Sequence, residues 1–511
     1  MKNLAAKHLS EQLALMPMLK VLLAVVVGVV LAERLTLPLW SVVAALFLSL
    51  AAVWRLGTRS FSDIYLLVTI SLVAVLSVEV HRRSMPSEDA RIYKIKVSAL
   101  NSQSAGRVYG EGRVVGEYRN DSVVERNFPV RITLDSAAHV TEGSLLTAFC
   151  RIRLFRPTQE NRYAHYMSRR GFVGQVWLSS KSIMRIEELP SDLGQRLQQH
   201  AATRLARLNL PPDVESIAAA ITIGERLSLS PKLRDEYRRS GASHLLAVSG
   251  LHVGFVVVVA NFLLALLILL PHGQLLRSAC VIMLIWLYAA VVGFSPSVVR
   301  AAAMFSILQI ALSLASNTLS LNTLCLAAVL MILSNPFMMH DVGFLLSFLA
   351  VAGIVEWGRP LLFRLRAAIP SATLGQSVPL YRQLWRYVLH WFLAGVIVSV
   401  VASAATMPLV AWQFGITSLW GVFFSPVMVL LCGIAVGATL VWILFPFAAF
   451  APLFHWVIRL SVSAMNGIAE WCAAQSRLIF EGYIGGVECG IIYLLYIVFT
   501  LSIWLHKKSH S

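Results

Sequence analysis

The sequence predicts a polytopic α-helical membrane protein of about 11–12 spans with an inserted small β-barrel domain. Of its 511 residues, 57% are hydrophobic and only 14% are charged, whereas soluble globular proteins carry roughly 25% charged residues. Apolar runs of about 20 residues, the length that crosses a bilayer, recur along the chain. One long polar region, residues 81–243, interrupts them, and its first part alternates as β-strands do.

The apolar runs form an early group and a late group. The predicted early spans are about 16–32, 35–54 and 63–80, and the later ones are about 245–270, 276–294, 301–316, 319–334, 342–357, 388–413, 418–454 and 488–505. The run at 418–454 is long enough for two spans, and 319–334 is short enough to be re-entrant. Lys2, Lys7 and Arg55 place the start of the chain and its second loop on the cytoplasmic side. The polar region is therefore expected outside.

These boundaries predict four domains. They are an N-terminal membrane domain of three spans (1–80), an extracytoplasmic β-domain (81–190), an amphipathic helical connector (191–243) and a membrane channel domain (244–511). In the β-domain, about five or six short strands separated by turn signals favour a small barrel. In the connector, Ser230 is a predicted helix N-cap, with Pro231 in the first turn and Gly241 just past the end.

Several chemistries lack their motifs. Of six cysteines, only Cys150 falls in the β-domain, which therefore cannot hold an internal disulfide. The sequence has no GxxxxGK[ST] phosphate loop, no HExxH or clustered Cys/His metal site, and no GxSxG serine elbow. We therefore expect no metal, no cofactor and no enzymatic activity.

The β-domain is basic, with 18 Lys and Arg against 11 Asp and Glu in residues 81–190. In a strand, Arg151, Arg153 and Phe155 share one face. The adjoining loop adds Arg156, Arg162, Tyr163, Tyr166, Arg169 and Arg170. Single-strand binders use this combination, because cations follow the phosphates and aromatic rings stack on bases. The alternative is a solvated arginine-rich face beside anionic lipid headgroups.

The stretch "SHLLAVSGLHVGF", residues 243–255, places polar residues where a membrane span begins. Ser249 and Gly250 weaken the helix, and His244 and His252 flank them. Non-helical backbone at membrane depth is tolerated only inside protein or beside water, and broken helices mark permeation sites in transporters. These four residues are therefore predicted to line a pore or form a hinge. The alternative is that the small residues only let helices pack closely.

Two further stretches begin spans with polar residues. "GFSPSVVRAAAM" carries Arg300, which either extends to the interface or lines a permeation path. "NPFMMHDVGFLLSFLAVAG" carries Asp341 and Ser347, predicted here to face the same path. For Asp341 the alternative is an acidic residue placed favourably at a helix N-terminus.

In order and spacing, these three stretches resemble the membrane core of the competence protein family ComEC, which forms the inner-membrane channel for incoming DNA in natural transformation. The resemblance implies a multi-pass protein of the bacterial plasma (inner) membrane with an outward OB-like domain. Its implied ligand is single-stranded DNA, and the basic surplus of the chain, 43 Lys and Arg against 26 Asp and Glu, separately favours contact with membrane lipid. Its implied partners are a periplasmic or surface DNA receptor, a cytoplasmic motor and a separate nuclease, and homo-oligomerisation is left open.

The chain departs from the family pattern twice. Members often continue into a metallo-β-lactamase-like domain with an HxHxDH-type site, and no such cluster precedes Ser511. This sequence is therefore expected to represent a form without that domain. Leu345 stands where the family pattern leads us to expect a glutamine, so one polar contact of the path is expected to be missing.

Two other functions stay open at this point. One is a secondary transporter of a small polar metabolite or lipid precursor, with the β-domain as an accessory. The other is an intramembrane enzyme that uses His244, Ser249 and His252. Binding of an oligonucleotide through the basic β-domain would separate both from DNA transport.

Overall fold

A computed structural model describes most of the chain: residues 16–35, 38–56, 62–83, 89–104, 107–119, 122–135, 140–141, 143–155, 163–164, 167, 172–188, 193–225, 228–246, 248–313, 321–368, 380–418, 420–475 and 479–506. The chain divides into two compact units. The β-domain unit comprises Met18–Asp192 and Ala328–Leu345. The membrane-core unit comprises Met1–Pro17, Leu193–Ala327 and Leu346–Ser511.

The β-domain unit begins with three apolar helices, α1 (Pro17–Arg34), α2 (Leu39–Leu56) and α3 (Ser62–Arg83). Helices α1 and α3 can approach closely because Gly28 has no side chain. A Cβ atom at this position would clash with the backbone of Ser71. The Ser71 hydroxyl donates a hydrogen bond to the carbonyl oxygen of Ala24 at 2.7 Å. Small residues and serine hydroxyls are the usual means of joining helices in a membrane.

Seven strands follow: β1 (Arg91–Ser104), β2 (Arg107–Arg119), β3 (Ser122–Asp135), β4 (Leu145–Cys150), β5 (Ile152–Leu154), β6 (Gly174–Leu178) and β7 (Ile183–Glu187). They form one sheet in the order β5-β6-β3-β2-β1-β4-β7. All neighbours are antiparallel except β3 and β6, which are parallel. Alternate residues such as Ile95, Ile132 and Val176 build the buried core on one face, as strand periodicity requires.

The predicted barrel is not confirmed, because the sheet is not closed. Among the described residues, β5 pairs only with β6 and β7 pairs only with β4, so both are edges. The prediction was wrong for a physical reason. Alternation tells which residues face the core, but closure also needs matched strand tilt and stagger, which alternation does not encode.

The membrane-core unit is helical: α4 (Leu193–Ala206), α5 (Pro212–Ile223), α6 (Pro231–Arg239), α7 (Ser243–Leu246), α8 (Gly250–Leu263), α9 (Gly273–Val291), α10 (Pro296–Ser313), α11 (Leu321–Ser334), α12 (Val342–Gly353), α13 (Arg359–Ala368), α14 (Leu380–Phe414), α15 (Trp420–Leu444), α16 (Ala451–Ala474) and α17 (Gly486–His506), of which α11 and α12 cross the unit boundaries. A short two-stranded antiparallel sheet pairs Ile416–Ser418 with Ile479–Glu481. The predicted cap of α6 is confirmed, because Ser230 Oγ accepts the Leu233 N–H at 3.3 Å. Gly241, with φ +80°, follows the helix.

The protein is a multi-pass helical membrane protein. Six described segments are long and apolar enough to cross a bilayer: Asp63–Val80, Gly273–Val291, Val342–Ala368, Tyr381–Phe414, Phe423–Leu444 and Ala448–Ala474. Five shorter apolar helices accompany them, so the predicted total of 11–12 spans is not confirmed. Helix α16 was missed in the sequence because His455, Arg459 and Glu470 interrupt its apolar pattern.

Helices α4–α6 pack into the same core as α15 and α16. Three polar side chains fix this packing. The Tyr237 hydroxyl donates to Asn466 Oδ1 at 2.8 Å, and Trp442 Nε1 donates to the Arg204 carbonyl at 2.8 Å. The region that links the two units along the chain therefore belongs to the membrane core from Leu193 onward.

Candidate functional site

The first predicted span of the channel domain, 245–270, is interrupted where the sequence predicted. Helix α7 ends at Leu246 and α8 begins at Gly250. Between them, Ser249 has an extended backbone with φ −121° and ψ 177°. A peptide group in this conformation has lost its helical hydrogen bonds and needs other partners inside a membrane.

Two side chains supply those partners to the peptide that joins Val248 and Ser249. The Ser297 hydroxyl, from the first turn of α10, donates to the Val248 carbonyl oxygen at 2.8 Å. The Ser249 N–H donates to Nδ1 of His252 at 3.1 Å. The interruption is thus completed by protein groups from two helices, which explains how an apolar segment tolerates it.

His252 is fully buried and engaged at both ring nitrogens. Its Nδ1 accepts the Ser249 N–H and lies 3.0 Å from Ser249 Oγ, so the neutral ring carries its proton on Nε2. Nε2 lies 3.4 Å from Sγ of Cys432 on α15. His252 therefore occupies the third position of a helical capping box and also joins α8 to α15.

The glycines of α8 face α10. A Cβ atom on Gly250 would lie 3.4 Å from Cβ of Ala301, and one on Gly254 would lie 3.4 Å from the Phe305 ring. Their spacing of four residues is the small-xxx-small pattern that lets helices approach. The packing interpretation therefore accounts for these glycines, while the hinge interpretation of Gly250 stays a prediction.

The remaining residues predicted for the path in the membrane core are placed differently. His244 is exposed on α7, and its Nδ1 lies 3.3 Å from the Gly241 carbonyl oxygen. Arg300 is buried in α10, with 5% of its surface exposed, one turn after Ser297. Its pore-lining role stays a prediction, but its burial among helices differs from a side chain that reaches the interface.

Asp341 acts as a helix cap. Its Oδ1 accepts the Phe344 N–H at 2.6 Å at the start of α12, which is the alternative considered for it. The neighbouring His340 Nε2 lies 2.6 Å from Glu33 Oε1 of α1. Ser347 is half-buried in α12. A role of Asp341 or Ser347 in a permeation path stays a prediction.

In the β-domain, the predicted arginine face lies on the outside of the sheet. Arg151 and Arg153 are exposed while Ile152 between them is fully buried. Phe155 packs edge-on against Tyr163, with ring centroids 5.8 Å apart. The other predicted DNA-binding residues, Arg156, Arg162, Tyr166, Arg169 and Arg170, lie outside the described residues.

The structure adds an aromatic residue to this face. Trp177 on β6 is 54% exposed, and the guanidinium carbon of Arg107 on β2 lies 4.7 Å from its ring centroid. Sequence analysis missed the pair, although "GQVWL" carries the signal. Val176 and Leu178 face the core, so Trp177 between them must face outward.

The outer face is basic along several strands. Arg153 pairs with Gln175, and Gln175 in turn lies opposite Arg131. Further cations on this face, placed by strand register, are Lys94, Lys96, Arg107 and Arg113. The acidic Glu111 is neutralised by Arg131 at 3.1 Å. The resulting combination of cations around an exposed indole is suited to a flexible polyanion with aromatic bases.

Comparisons with known proteins agree with the resemblance of the membrane core. A sequence model of the family described as "Competence protein" matches residues 221–508. ComE operon protein 3 of Bacillus subtilis (strain 168) is 33% identical over 141 residues, which cover 27% of this chain and 18% of that protein. The matched stretch is thus less than a fifth of that relative. No solved structure matches the chain.

Proposed function

The chain belongs to the competence protein family, and we propose that it is an inner-membrane channel that passes single-stranded DNA into the cytoplasm during natural transformation. The observation that carries the DNA part is the outer face of the β-sheet, where exposed Trp177 and Arg107 stack beside Arg153. The family match covers the membrane core and supplies the context of competence.

The first step is capture of the strand by the β-domain. A base stacks on Trp177, and the phosphates follow Arg107, Arg151 and Arg153. Stacking of one base on an aromatic ring is worth about 1–3 kcal/mol. An Arg already held over the indole adds a cation beside the stacked base without first having to be ordered.

The second step is passage through the membrane core. We assign the hinge to the peptide between Val248 and Ser249, because side chains satisfy it. A tilt of α8 exchanges those bonds for bonds to water or to the strand without unwinding a turn of helix. His252 and Cys432 separate in that movement, and Arg300 offers a cation to the polyanion.

The chain has no phosphate-loop motif, so a cytoplasmic motor supplies the driving force. A separate nuclease degrades the other strand. Transport, not catalysis, is the proposed activity. A periplasmic or surface receptor delivers the DNA to the β-domain.

Binding of a fluorescent oligothymidylate to the full chain in detergent tests the capture step. Trp177→Ala should weaken binding about tenfold, because one stacking contact is lost. Arg151→Ala with Arg153→Ala should reduce the slope of log affinity against log salt by about 1.4, the value for two phosphate contacts on a single strand.

Trp54→Ala is the matched control, since Trp54 is 87% exposed but lies on an apolar helix. Oligonucleotide binding that is absent in the wild type, or equal in Trp177→Ala and the wild type, contradicts the proposed capture site and favours a carrier of small molecules. Deletion of the gene, followed by a count of transformants, tests the role in the cell.

A further inference from the structure

A second cationic site lies on the inner face of the sheet, at one end. The Glu117 side chain is fully buried and accepts hydrogen bonds from three arginines on three adjacent strands. Arg119 Nε donates to Oε1 at 3.0 Å, Arg126 Nε donates to Oε2 at 2.9 Å, and Arg91 Nη1 also bonds Oε1. We call these four residues the Glu117 cluster.

The cations of the cluster outnumber its anions. Asp89 also contacts Arg91, at 3.4 Å, but Asp89 is 77% exposed, so solvent weakens that pair. Glu125 pairs with Gly116 and points to the opposite face, while Glu88 and Asp121 lie outside the described residues. Among the described residues, three guanidinium groups therefore share one buried carboxylate.

Two of these arginines have donors to spare. Arg119 and Arg126 both use Nε to bond Glu117, which leaves the Nη1 and Nη2 pair of each without a bond to the described residues. Their side chains are 49% and 19% exposed, so a ligand from solvent reaches them. A guanidinium held through Nε presents its terminal donors as a fixed fork, which matches two oxygens of a phosphate.

The arrangement exceeds what structure alone requires. One arginine would suffice to pair a buried carboxylate, and each further arginine brings a positive charge that Glu117 does not neutralise. Hydrogen bonds hold the pKa of Glu117 below its usual value although burial acts to raise it. The carboxylate thus stays charged and fixes the arginines, and an external oxyanion offsets the remaining positive charge.

The position of the cluster indicates which phosphate it meets. Arg91 begins β1 and follows Arg83, the last residue of α3, by eight residues. Eight residues reach at most about 28 Å, and α3 contains the apolar segment Asp63–Val80. The cluster therefore lies within reach of the headgroup layer where that segment leaves the membrane.

The cluster is separate from Trp177 and Arg107, the stacking pair of the proposed DNA face. Arg107 is the first residue of β2 and Arg119 the last; an extended strand of that length spans about 40 Å. Arg107 also faces outward, whereas Glu117 pairs with the buried Tyr93 on the inner side. A DNA strand on the Trp177 face does not need the cluster.

We propose that the Glu117 cluster binds the phosphate of an anionic phospholipid headgroup and so holds this end of the β-domain at the membrane surface. The proposal does not depend on the DNA role. A lipid phosphate bridges Arg119 and Arg126 through their terminal nitrogens, while Glu117 keeps both side chains in place.

The test is binding of fluorescent short-chain phosphatidylglycerol to the full chain in detergent. Arg119→Gln with Arg126→Gln should bind this lipid about thirtyfold more weakly, at about 1 kcal/mol for each basic residue lost. Lys181→Gln with Arg185→Gln removes the same charge from other exposed positions of the β-domain and should bind like the wild type. Equal binding by the first variant, or an equal loss in this control, overturns the proposal.

Competitors distinguish the sources of phosphate. Phosphatidylcholine and millimolar inorganic phosphate should leave the bound phosphatidylglycerol in place. Displacement by inorganic phosphate assigns the cluster to a free anion and overturns the lipid assignment. Displacement by oligothymidylate, with weaker oligothymidylate binding in Arg119→Gln with Arg126→Gln, assigns it to DNA and overturns it too.

A second variant covers a failure of the first to fold. Arg119→Lys with Arg126→Lys keeps both charges but loses the paired donors. It should unfold at the same temperature as the wild type and bind phosphatidylglycerol more weakly. Unchanged binding by this variant contradicts recognition through the guanidinium forks.

Discussion

His252 in the membrane-core unit and Glu117 in the β-domain unit are both fully buried polar side chains, yet they are satisfied in opposite ways. His252 is surrounded by a backbone N–H, a hydroxyl and a thiol, none of which carries a full charge. Glu117 is surrounded by three guanidinium groups. The partners of His252 are all neutral groups, whereas Glu117 is the centre of an ionic cluster.

The difference follows from the surrounding medium. A charge inside an apolar helix bundle has to be paired at high cost, so the membrane core stabilises its interrupted helix with neutral groups. Such bonds are individually weak and exchangeable, which suits a hinge. The β-domain has water at its rim, so it can hold arginines rigidly around one carboxylate, which suits a fixed binding surface.

The largest effect is expected where the ionic site is broken. Glu117→Ala leaves three arginines without their shared partner. Because these arginines are partly exposed, the cost should lie toward the low end of the about 3–5 kcal/mol for a fully buried pair. The β-domain should therefore unfold at much lower urea concentration, measured by hydrogen exchange of its peptides in the full chain. Glu111→Ala, which removes the partially exposed partner of Arg131, should cost less than about 1 kcal/mol. Similar losses in the two variants would show that Glu117 is an ordinary surface pair.

Acid should act on the ionic site, because the group at its centre is a carboxylate that acid protonates. The pKa of Glu117 is lowered in the folded protein, so its contribution to stability is complete above the unfolded-state pKa of about 4.3 and is lost as pH falls further. The β-domain should lose stability below about pH 4, and Glu117→Gln should flatten that part of the curve. An identical acid profile in Glu117→Gln would contradict the prediction.

Substitution of His252 should destabilise the protein less than substitution of Glu117. His252→Leu leaves the Ser249 N–H without its acceptor, and an unsatisfied buried donor costs about 1–3 kcal/mol. The variant should still insert and fold but should transform poorly, because the hinge loses its exchangeable partner. The exposed His244→Leu is the matched control and should unfold like the wild type. Normal transformation by the His252→Leu variant would contradict a role of His252 in the proposed permeation path.

The smallest effect is expected at the carbonyl group of the peptide that joins Val248 and Ser249. Ser297→Ala removes the donor to the Val248 carbonyl oxygen, and one neutral hydrogen bond contributes about 1 kcal/mol. A modest fall in the unfolding temperature of the purified protein checks this. A loss as large as that of Glu117→Ala would mean that the two sites do not differ in the way proposed.

Local patterns in the sequence predicted the local features well. The helix interruption at Ser249 and Gly250, the Ser230 cap and the outward direction of Arg151 and Arg153 follow from neighbouring residues. Each depends on propensity or alternation within a few positions.

Features that depend on distant partners could not be predicted. Nothing in "SHLLAVSGLHVGF" indicates that Ser297 and Cys432 complete the interruption. Glu117 is hidden for another reason. Strict alternation from Arg107 would place it on the outer face, but a register shift between Val114 and Gly116 turns it inward.

The span of these contacts along the chain has a consequence for biosynthesis. Ser297, the partner of the Val248 carbonyl oxygen, is synthesised 49 residues later, and Cys432, the partner of His252, is synthesised 180 residues later. During translation, polar groups at the start of α8 therefore lack their final partners until α10 and α15 have been synthesised. The start of α8 reaches its final packing only after α15 has been inserted. When translation is stalled before residue 432, water-soluble reagents should therefore reach α8, although the finished protein excludes them.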